Sequence, residues 1–342
     1  MTKIFITGVS GYVGGDALYA LTNKFPSFEF VVLIRSPANA EEVRKQYPAV
    51  KVVLGSLEDT DVVERESAAA DIVVHCGDAS DNVPGAHAIA AGLARTHTKE
   101  NPGYWLHTGG TGVLIFADLD KGVFGEAGDK IYDDWDGVEE LVNLPAHAFH
   151  RNVDEIVLAT QEKTGGAVRT ALVCPPTIYG RGRGPLSQRG RQVYSLAQMT
   201  LLLNKAPIIG AGKAIWNNIH LYDLSDLWIL LVEAALAGRS DEGLWGSKAY
   251  YLTENGEHAW GTLAHQLAQA AVKLGYLDQP TAEEISIEEA KSFAGNEALT
   301  WGLNSRGRAL RARKLLGWTP SRHSLVEELP TVLQSEQARA HK

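Results

Sequence analysis

Short, almost wholly apolar runs alternate with helix-forming stretches through the first half of the chain. Lys3-Ile4-Phe5-Ile6 comes first, then Phe30-Val31-Val32-Leu33-Ile34, Val50-Lys51-Val52-Val53-Leu54 and Asp71-Ile72-Val73-Val74-His75-Cys76. Tyr104-Trp105-Leu106-His107-Thr108 and Val168-Arg169-Thr170-Ala171-Leu172-Val173-Cys174 complete the series. Runs of this length without polar alternation suit parallel strands covered on both faces. Their alternation with helical sequence predicts right-handed βαβ units and one parallel sheet. Past Pro175-Pro176-Thr177-Ile178-Tyr179-Gly180 the pattern changes to an arginine- and glycine-rich loop over 181–192, followed by helical and short extended pieces. The apolar stretch carrying Leu224, Leu227, Trp228, Ile229, Leu230, Leu231 and Val232 reads as a buried helix, with 219–235 returning onto the sheet. The expected organisation is α/β: a doubly wound parallel sheet over 1–180, a smaller mixed α/β lobe over 181–330, and a polar tail over 331–342.

Composition narrows the class. The 342 residues are 45% hydrophobic with a net charge of −9, which gives no general positive field for nucleic acid. No apolar run reaches the ~18 residues of a membrane span, and Met1-Thr2 leads straight into the first strand, so a cytoplasmic protein without a secretory leader is expected. The two cysteines, Cys76 and Cys174, end apolar runs and read as small buried residues in a reducing compartment. Histidines lack ligand spacing with cysteine or carboxylate partners, so no metal site is expected.

The turn after the first strand carries the clearest chemistry. Thr7-Gly8-Val9-Ser10-Gly11-Tyr12-Val13-Gly14-Gly15 joins strand to helix with glycines spaced G-x-x-G-x-x-G. Such glycines supply a tight turn, close approach to a pyrophosphate and close helix–strand packing, and the helix N-terminus faces the phosphates. This is the phosphate-binding turn of a Rossmann fold. The second strand ends at Arg35-Ser36, about twenty residues beyond Gly14, where an NAD-selective site places Asp or Glu on the ribose. Arginine instead attracts a 2′-phosphate, so NADP(H) is expected in preference to NAD(H), with Ser36 as a second donor. The alternative is that Arg35 is a solvated strand-end charge.

With these segments in order, the chain resembles the extended short-chain dehydrogenase/reductase superfamily, in its NAD(P)-dependent epimerase/dehydratase branch, over nearly its whole length. The matching pieces are Thr7-Gly8-x-x-Gly11-x-x-Gly14, the turn Gly55-Ser56-Leu57-Glu58-Asp59, and Asp71-Ile72-Val73-Val74-His75. Pro176-Thr177-Ile178-Tyr179-Gly180, Trp216-Asn217-Asn218-Ile219-His220 and Leu316-Gly317-Trp318-Thr319-Pro320 extend the likeness toward the C-terminus. The resemblance implies cofactor contacts from Thr7, Gly8, Ser10, Gly11, Tyr12, Val13, Gly14, Arg35, Ser36, Leu57, Asp78, Thr108, Arg151 and Pro175. It also implies a small-molecule substrate and, as is common in the family, a homodimer.

The family's catalytic Tyr-x-x-x-Lys is missing. Counting back from Val173-Cys174-Pro175, with Glu155 as the acidic residue that usually follows, puts His147 at the tyrosine position and Arg151 at the lysine position. Histidine can pass a proton near neutral pH, whereas arginine keeps its charge and cannot. His150 would then face elsewhere on the helix. Thr108 and Thr111 stand where the family holds the substrate oxygen, with Thr111 preferred. Tyr132, in a stretch 118–146 read as an acidic inserted loop over the site, is an outside candidate for the proton donor. On the substrate side, Trp216, Asn217 and Asn218 are expected to face the cleft, and Tyr179 to pack or line it. Arg181, Arg183, Arg189 and Arg191 suit an anionic group, or else pair with the acidic 118–140 segment. Two functions follow: an NADP(H)-dependent oxidoreductase acting on a carbonyl or sugar-like substrate, or a catalytically inactive NADP(H)-binding redox sensor or regulator.

Overall fold

The structure, a computed structural model, describes residues 1–340. Seven strands form the main sheet: β1 (Lys3–Thr7), β2 (Glu29–Ile34), β3 (Lys51–Leu54), β4 (Ile72–His75), β5 (Gly103–Thr108), β6 (Val168–Cys174) and β7 (Tyr250–Leu252). They lie in the order β7-β6-β5-β4-β1-β2-β3, and every neighbouring pair is parallel. The six apolar runs read from the sequence are β1 to β6. The seventh strand, three residues long and buried throughout, pairs Tyr251 with Val173 at the sheet edge.

The helices that cover the sheet are α1 (Tyr12–Lys24), α2 (Pro37–Gln46), α3 (Thr60–Ala68), α4 (Val83–Thr96) and α5 (Arg151–Lys163). Three further helices belong to the second half: α6 (Gln192–Leu203), α7 (Leu221–Leu236) and α8 (Trp260–Lys273), and α9 (Leu325–Ala340) ends the described chain. α7 returns to pack on α1, bringing Leu224, Leu227, Trp228, Leu231 and Val232 into the main core, as its apolar sequence predicts. α3, α4 and α5 pack side by side. The chain order reverses direction between β1 and β4, and ligands of open α/β sheets bind at such a switch point, beyond the carboxyl ends of the strands.

A second core forms from α6, α8 and α9 with Tyr179, Trp216, Trp260 and Trp301. It is braced by a small sheet in which Ile215–His220 runs parallel to Thr177–Tyr179 and antiparallel to Glu257–Ala259. The cleft lies between this core and the end of the main sheet. No helix among the described residues is long and apolar enough to cross a membrane.

Candidate active site

The switch point is built on glycines that a side chain would destroy. Gly8 sits at φ +77°, and a Cβ there would lie 2.4 Å from the backbone nitrogen of Gly77. A Cβ on Gly14 would lie 2.5 Å from the carbonyl oxygen of Gly8. Thr7 ties the two strand ends together. Its hydroxyl accepts the Cys76 and Gly77 amides at 3.2 and 3.3 Å and donates to Nδ1 of His75 at 2.6 Å. Burial drives the His75 imidazole down to about 3, so it is neutral and serves as an acceptor. α1 starts at Tyr12 with no side chain capping it and no acid in its first turn, which leaves its positive end open to phosphate. This tight turn, with bare helix amides and no side chain in the way, fits a dinucleotide pyrophosphate.

From this cradle a groove of about 200 Å³ runs between Gly8, Ser10, Leu33, Arg35, Ser56 and Leu57. Arg35 is exposed there, with no hydrogen bond or ion pair to any described residue. Ser36 is spent differently from expectation: its hydroxyl caps α2 by accepting the Asn39 amide at 3.4 Å. The first turn of α2 holds no acid, so a second positive helix end stands beside Arg35. Two carboxylates, Glu58 and Asp78, line the same groove, and Glu58 accepts from Asn82 at 2.9 Å.

In the other direction a cleft of about 440 Å³ opens over Gly11, Tyr12, Val13, Cys76, Asp78, Thr108, Thr111 and Pro175. Cys76 is half-buried, not buried as expected, and accepts from the Thr108 hydroxyl at 3.2 Å. Burial raises its thiol to about 12, which removes it as a nucleophile. Thr111 is held through its backbone, its amide donating to Pro175 O at 3.1 Å and its carbonyl accepting from the Ser305 hydroxyl at 2.7 Å. Its own hydroxyl is buried with no partner, an exception that calls for a ligand or a function.

The expected proton donors are elsewhere. His147 is not on a helix: Leu144-Pro145 begins an irregular turn, and α5 starts only at Arg151. Its imidazole points to Asp120 at 3.0 Å, with both side chains more than half exposed and neither lining the cleft. Arg151 turns inward, donating to Val142 O at 2.7 Å, and does not reach the cleft either. Tyr132 is buried in a two-residue strand beside Gly307–Arg308, and burial raises its hydroxyl to about 12. Segment 118–146 contributes nothing to the cleft. It packs on 302–311 instead, where Asp134 accepts the amides of Leu310 and Arg311 at 2.7 and 2.8 Å.

His150 stands in the cleft instead. It precedes α5 in a left-handed conformation, φ +67°, which few residues other than glycine adopt. Nδ1 meets Asp81 at 2.8 Å. Nε2 has no partner and lies against the glycines around Thr111, since a Cβ on Gly112 or Gly110 would sit 3.3 or 3.6 Å from it. Four residues on, buried Asp154 occupies the place that the Tyr-x-x-x-Lys spacing gives to lysine, if His150 is counted as the first member.

The substrate-side expectations also sort by geometry. Trp216 lines the cleft, with its indole nitrogen anchored on Leu303 O at 2.6 Å. Asn217 and Asn218 do not face it. Asn217 accepts the Gly307 amide at 2.5 Å, and Asn218 meets His258 at 3.1 Å. Tyr179 is buried and donates to His323 O at 2.7 Å. The arginines of the loop pair with neither the 118–140 segment nor, for the most part, the cleft. Arg183 forks onto Asp16, Arg189 onto Glu336, and Arg181 donates to Gln188 at 3.0 Å. Arg191 alone reaches the cleft, paired there with Glu297.

His220, His323 and Glu328 gather within 4.8 Å of one another beside Tyr179. His220 accepts the Tyr222 amide through Nδ1 at 3.1 Å and is neutral, its burial lowering it to about 4. Its proton is therefore on Nε2, which leaves no free lone pair to offer a metal.

The chain belongs to the NAD-dependent epimerase/dehydratase family, whose model matches residues 4–243. It is 38% identical over 340 residues to "Oxidase ucsJ" from Acremonium sp., covering 98% of this chain and 97% of that one. Its fold is that of UDP-glucose 4-epimerase from Thermotoga maritima (TM-score 0.66, 15% identity, 100% of both chains). It is likewise that of dTDP-glucose 4,6-dehydratase from Bacillus anthracis str. Ames in complex with NAD (TM-score 0.67, 14% identity, 100% of this chain and 98% of that one).

Proposed function

We propose that the protein is an NADP(H)-dependent oxidoreductase acting on a small carbonyl compound or the corresponding alcohol, in the cytoplasm. The observation that carries this reading is the unpaired Arg35 at the end of β2, beside the uncapped start of α1 and the glycine cradle. A 2′-phosphate would gain a bidentate cation, because no carboxylate already holds that guanidinium in an ion pair. Thr7, Gly8, Ser10, Gly11, Tyr12, Val13, Gly14, Leu57, Asp78, Thr108 and Pro175 line the two halves of the site or support its turns. Similarity to a relative named an oxidase supports redox chemistry.

The substrate in this reading carries no diphosphate, unlike the UDP-glucose bound by the Thermotoga epimerase. The cleft has one guanidinium, Arg191, already paired with Glu297, and Asp78 and Asp81 stand on its wall. Such a lining repels a diphosphate and suits a neutral molecule against Ile178 and Trp216. The missing Tyr-x-x-x-Lys favours a second reading, a dinucleotide-binding regulator without turnover.

Deuteride transfer tests the choice. With NADPH deuterated at C4 and a panel of aldehydes and ketones, the oxidoreductase reading expects one deuterium on the carbinol carbon per NADPH consumed. Binding of NADPH without transfer to any member points to the regulator, and failure of NADPH to bind rejects both.

A further inference from the structure

We propose that His150, oriented by Asp81, is the proton donor of the active site, replacing the family's tyrosine. The inference rests on the oxidoreductase reading above. Four observations converge on it. The imidazole is in the cleft, Nδ1 is fixed on a carboxylate at 2.8 Å, and Nε2 is free. That free nitrogen borders Gly110 and Gly112, which flank Thr111 and its unpartnered buried hydroxyl. A left-handed backbone at a non-glycine residue is a strained choice that persists where surrounding structure and function hold it. Several other groups lining the cleft are committed elsewhere. Tyr12 donates its hydroxyl to Gly180 O, the Cys76 thiol is held protonated by burial, and Arg191, which cannot release a proton, is paired with Glu297.

Asp81 sets the tautomer. A carboxylate on Nδ1 keeps the proton there and, when the ring is charged, leaves the Nε2 proton as the one to give. The hydrogen bond from His150 in turn lowers the Asp81 carboxyl below its ordinary range, so it stays an acceptor. The dinucleotide, when bound, supplies a hydride, two electrons with one hydrogen, to the carbonyl carbon. The C=O π pair goes to the oxygen, placed against the Thr111 hydroxyl, and that oxygen takes the Nε2 proton of His150. His150 is left neutral with Nδ1–H still donated to Asp81, and a solvent proton restores it. One carbonyl, one reduced dinucleotide and one proton give one alcohol and one oxidised dinucleotide.

The test uses the full chain and two variants, His150→Asn and Asp81→Asn. Asparagine tolerates a left-handed backbone, so the first variant keeps the local fold. NADPH binds both variants within about threefold of the parent, and their circular dichroism is unchanged. Reduction of the same carbonyl panel falls about 10²–10³-fold in kcat for His150→Asn, and about tenfold for Asp81→Asn, with KM little altered. Nitrogen NMR of histidine-labelled protein shows the Nδ1-protonated tautomer at His150 in the parent, and loses that signature in Asp81→Asn. Turnover within threefold of the parent in His150→Asn overturns the assignment, as does an Nε2-protonated neutral ring in the parent. A parent that fails to bind NADPH, or that binds it and reduces no member of the panel, removes the underlying oxidoreductase reading instead. A parent that turns over while His150→Asn keeps pace sinks only the assignment of His150, which separates the two failures.

Discussion

Arg183 forks onto the carboxylate of Asp16, its Nε and terminal nitrogen at 2.9 and 2.6 Å from the two oxygens. The Arg183 amide and the Ser225 hydroxyl reach the same carboxylate at 2.9 and 2.6 Å, so a residue inside α1 pins both the loop after β6 and α7. Asp16 is fully buried, and the guanidinium is further covered by the Tyr222 ring 3.8 Å away. Removing one partner of a buried pair strands the other charge. Arg183→Met is expected to cost about 3–5 kcal/mol, read as a drop in the midpoint of urea unfolding. Arg191→Met, at a pair whose arginine is 79% exposed, is expected to cost no more than about 1 kcal/mol. Equal losses in the two variants would contradict the division of the loop into a structural anchor and a cleft residue.

Gly8 and Gly122 share a left-handed backbone, at φ +77° and +62°, yet differ in surroundings. An added methyl at Gly8 meets the Gly77 backbone at 2.4 Å, whereas nothing lies within 4 Å of one at Gly122. Gly122→Ala should therefore show only the backbone term, about 1–2 kcal/mol, with NADPH binding intact. Gly8→Ala should separate β1 from the β4 end and weaken NADPH binding by more than tenfold. Calorimetry on both variants checks this, and retained affinity in Gly8→Ala would mean the cradle is not where the phosphates lie.

The two histidine–carboxylate pairs before and at the start of α5 differ in what they should do. His147 and Asp120 are both mostly in water, so His147→Ala should change stability by less than about 0.5 kcal/mol. Its turnover should match the parent, measured beside His150→Asn on the same carbonyl panel. A large loss of turnover in His147→Ala would return the catalytic role to the position the motif count first chose.

Asp154 is buried with one oxygen unpartnered and the other 3.4 Å from the Tyr250 hydroxyl, and burial raises its carboxyl to about 7. In the unfolded chain it titrates near ~3.9. Between these values the folded state holds a proton that the unfolded state has released, so stability falls as pH rises. The contribution is fully present below about pH 4 and lost as pH passes through about 7. Asp154→Asn cannot ionise, so it should gain on the parent by a few kcal/mol from pH 5 to pH 8. Urea unfolding at the two values measures the change, and a pH-independent difference would mean that Asp154 is already charged in the fold.

Much of the sheet was legible because its cause is local. Parallel strands buried on both faces leave unbroken apolar runs, and β1 to β6 were read from them. The short β7 was not, since Tyr250-Tyr251-Leu252 has no length to stand out and owes its strand to the edge of β6. The cofactor turn was legible for the same reason as the sheet: Gly8 and Gly14 are required by backbone geometry within one turn. The candidate cleft was not, because its residues converge from distant segments. Asp81 and His150 are 69 positions apart, and Asn304 and Asp118 are 186 apart, so the 118–146 segment could not be seen to face away. The four-residue spacing of His150 and Asp154 at a helix start is visible in the sequence, but nothing local shows that His150 enters the cleft. The arginine loop misled because arginines near a cleft resemble a ligand site, and only the fold reveals Asp16 and Glu336 beneath them.

The central claim is that the cradle at the end of β1 and the free guanidinium at the end of β2 hold NADP(H). Calorimetric titration of the full chain with NADPH, NADP+, NADH and NAD+, repeated on Arg35→Asp, tests it most directly. The expected result is saturable binding of both phosphorylated forms, at least tenfold tighter than the others, with that preference abolished or inverted in Arg35→Asp. Equal affinity for all four, or a preference unmoved by Arg35→Asp, would contradict the assignment of Arg35, and no binding of any would contradict the cofactor site itself.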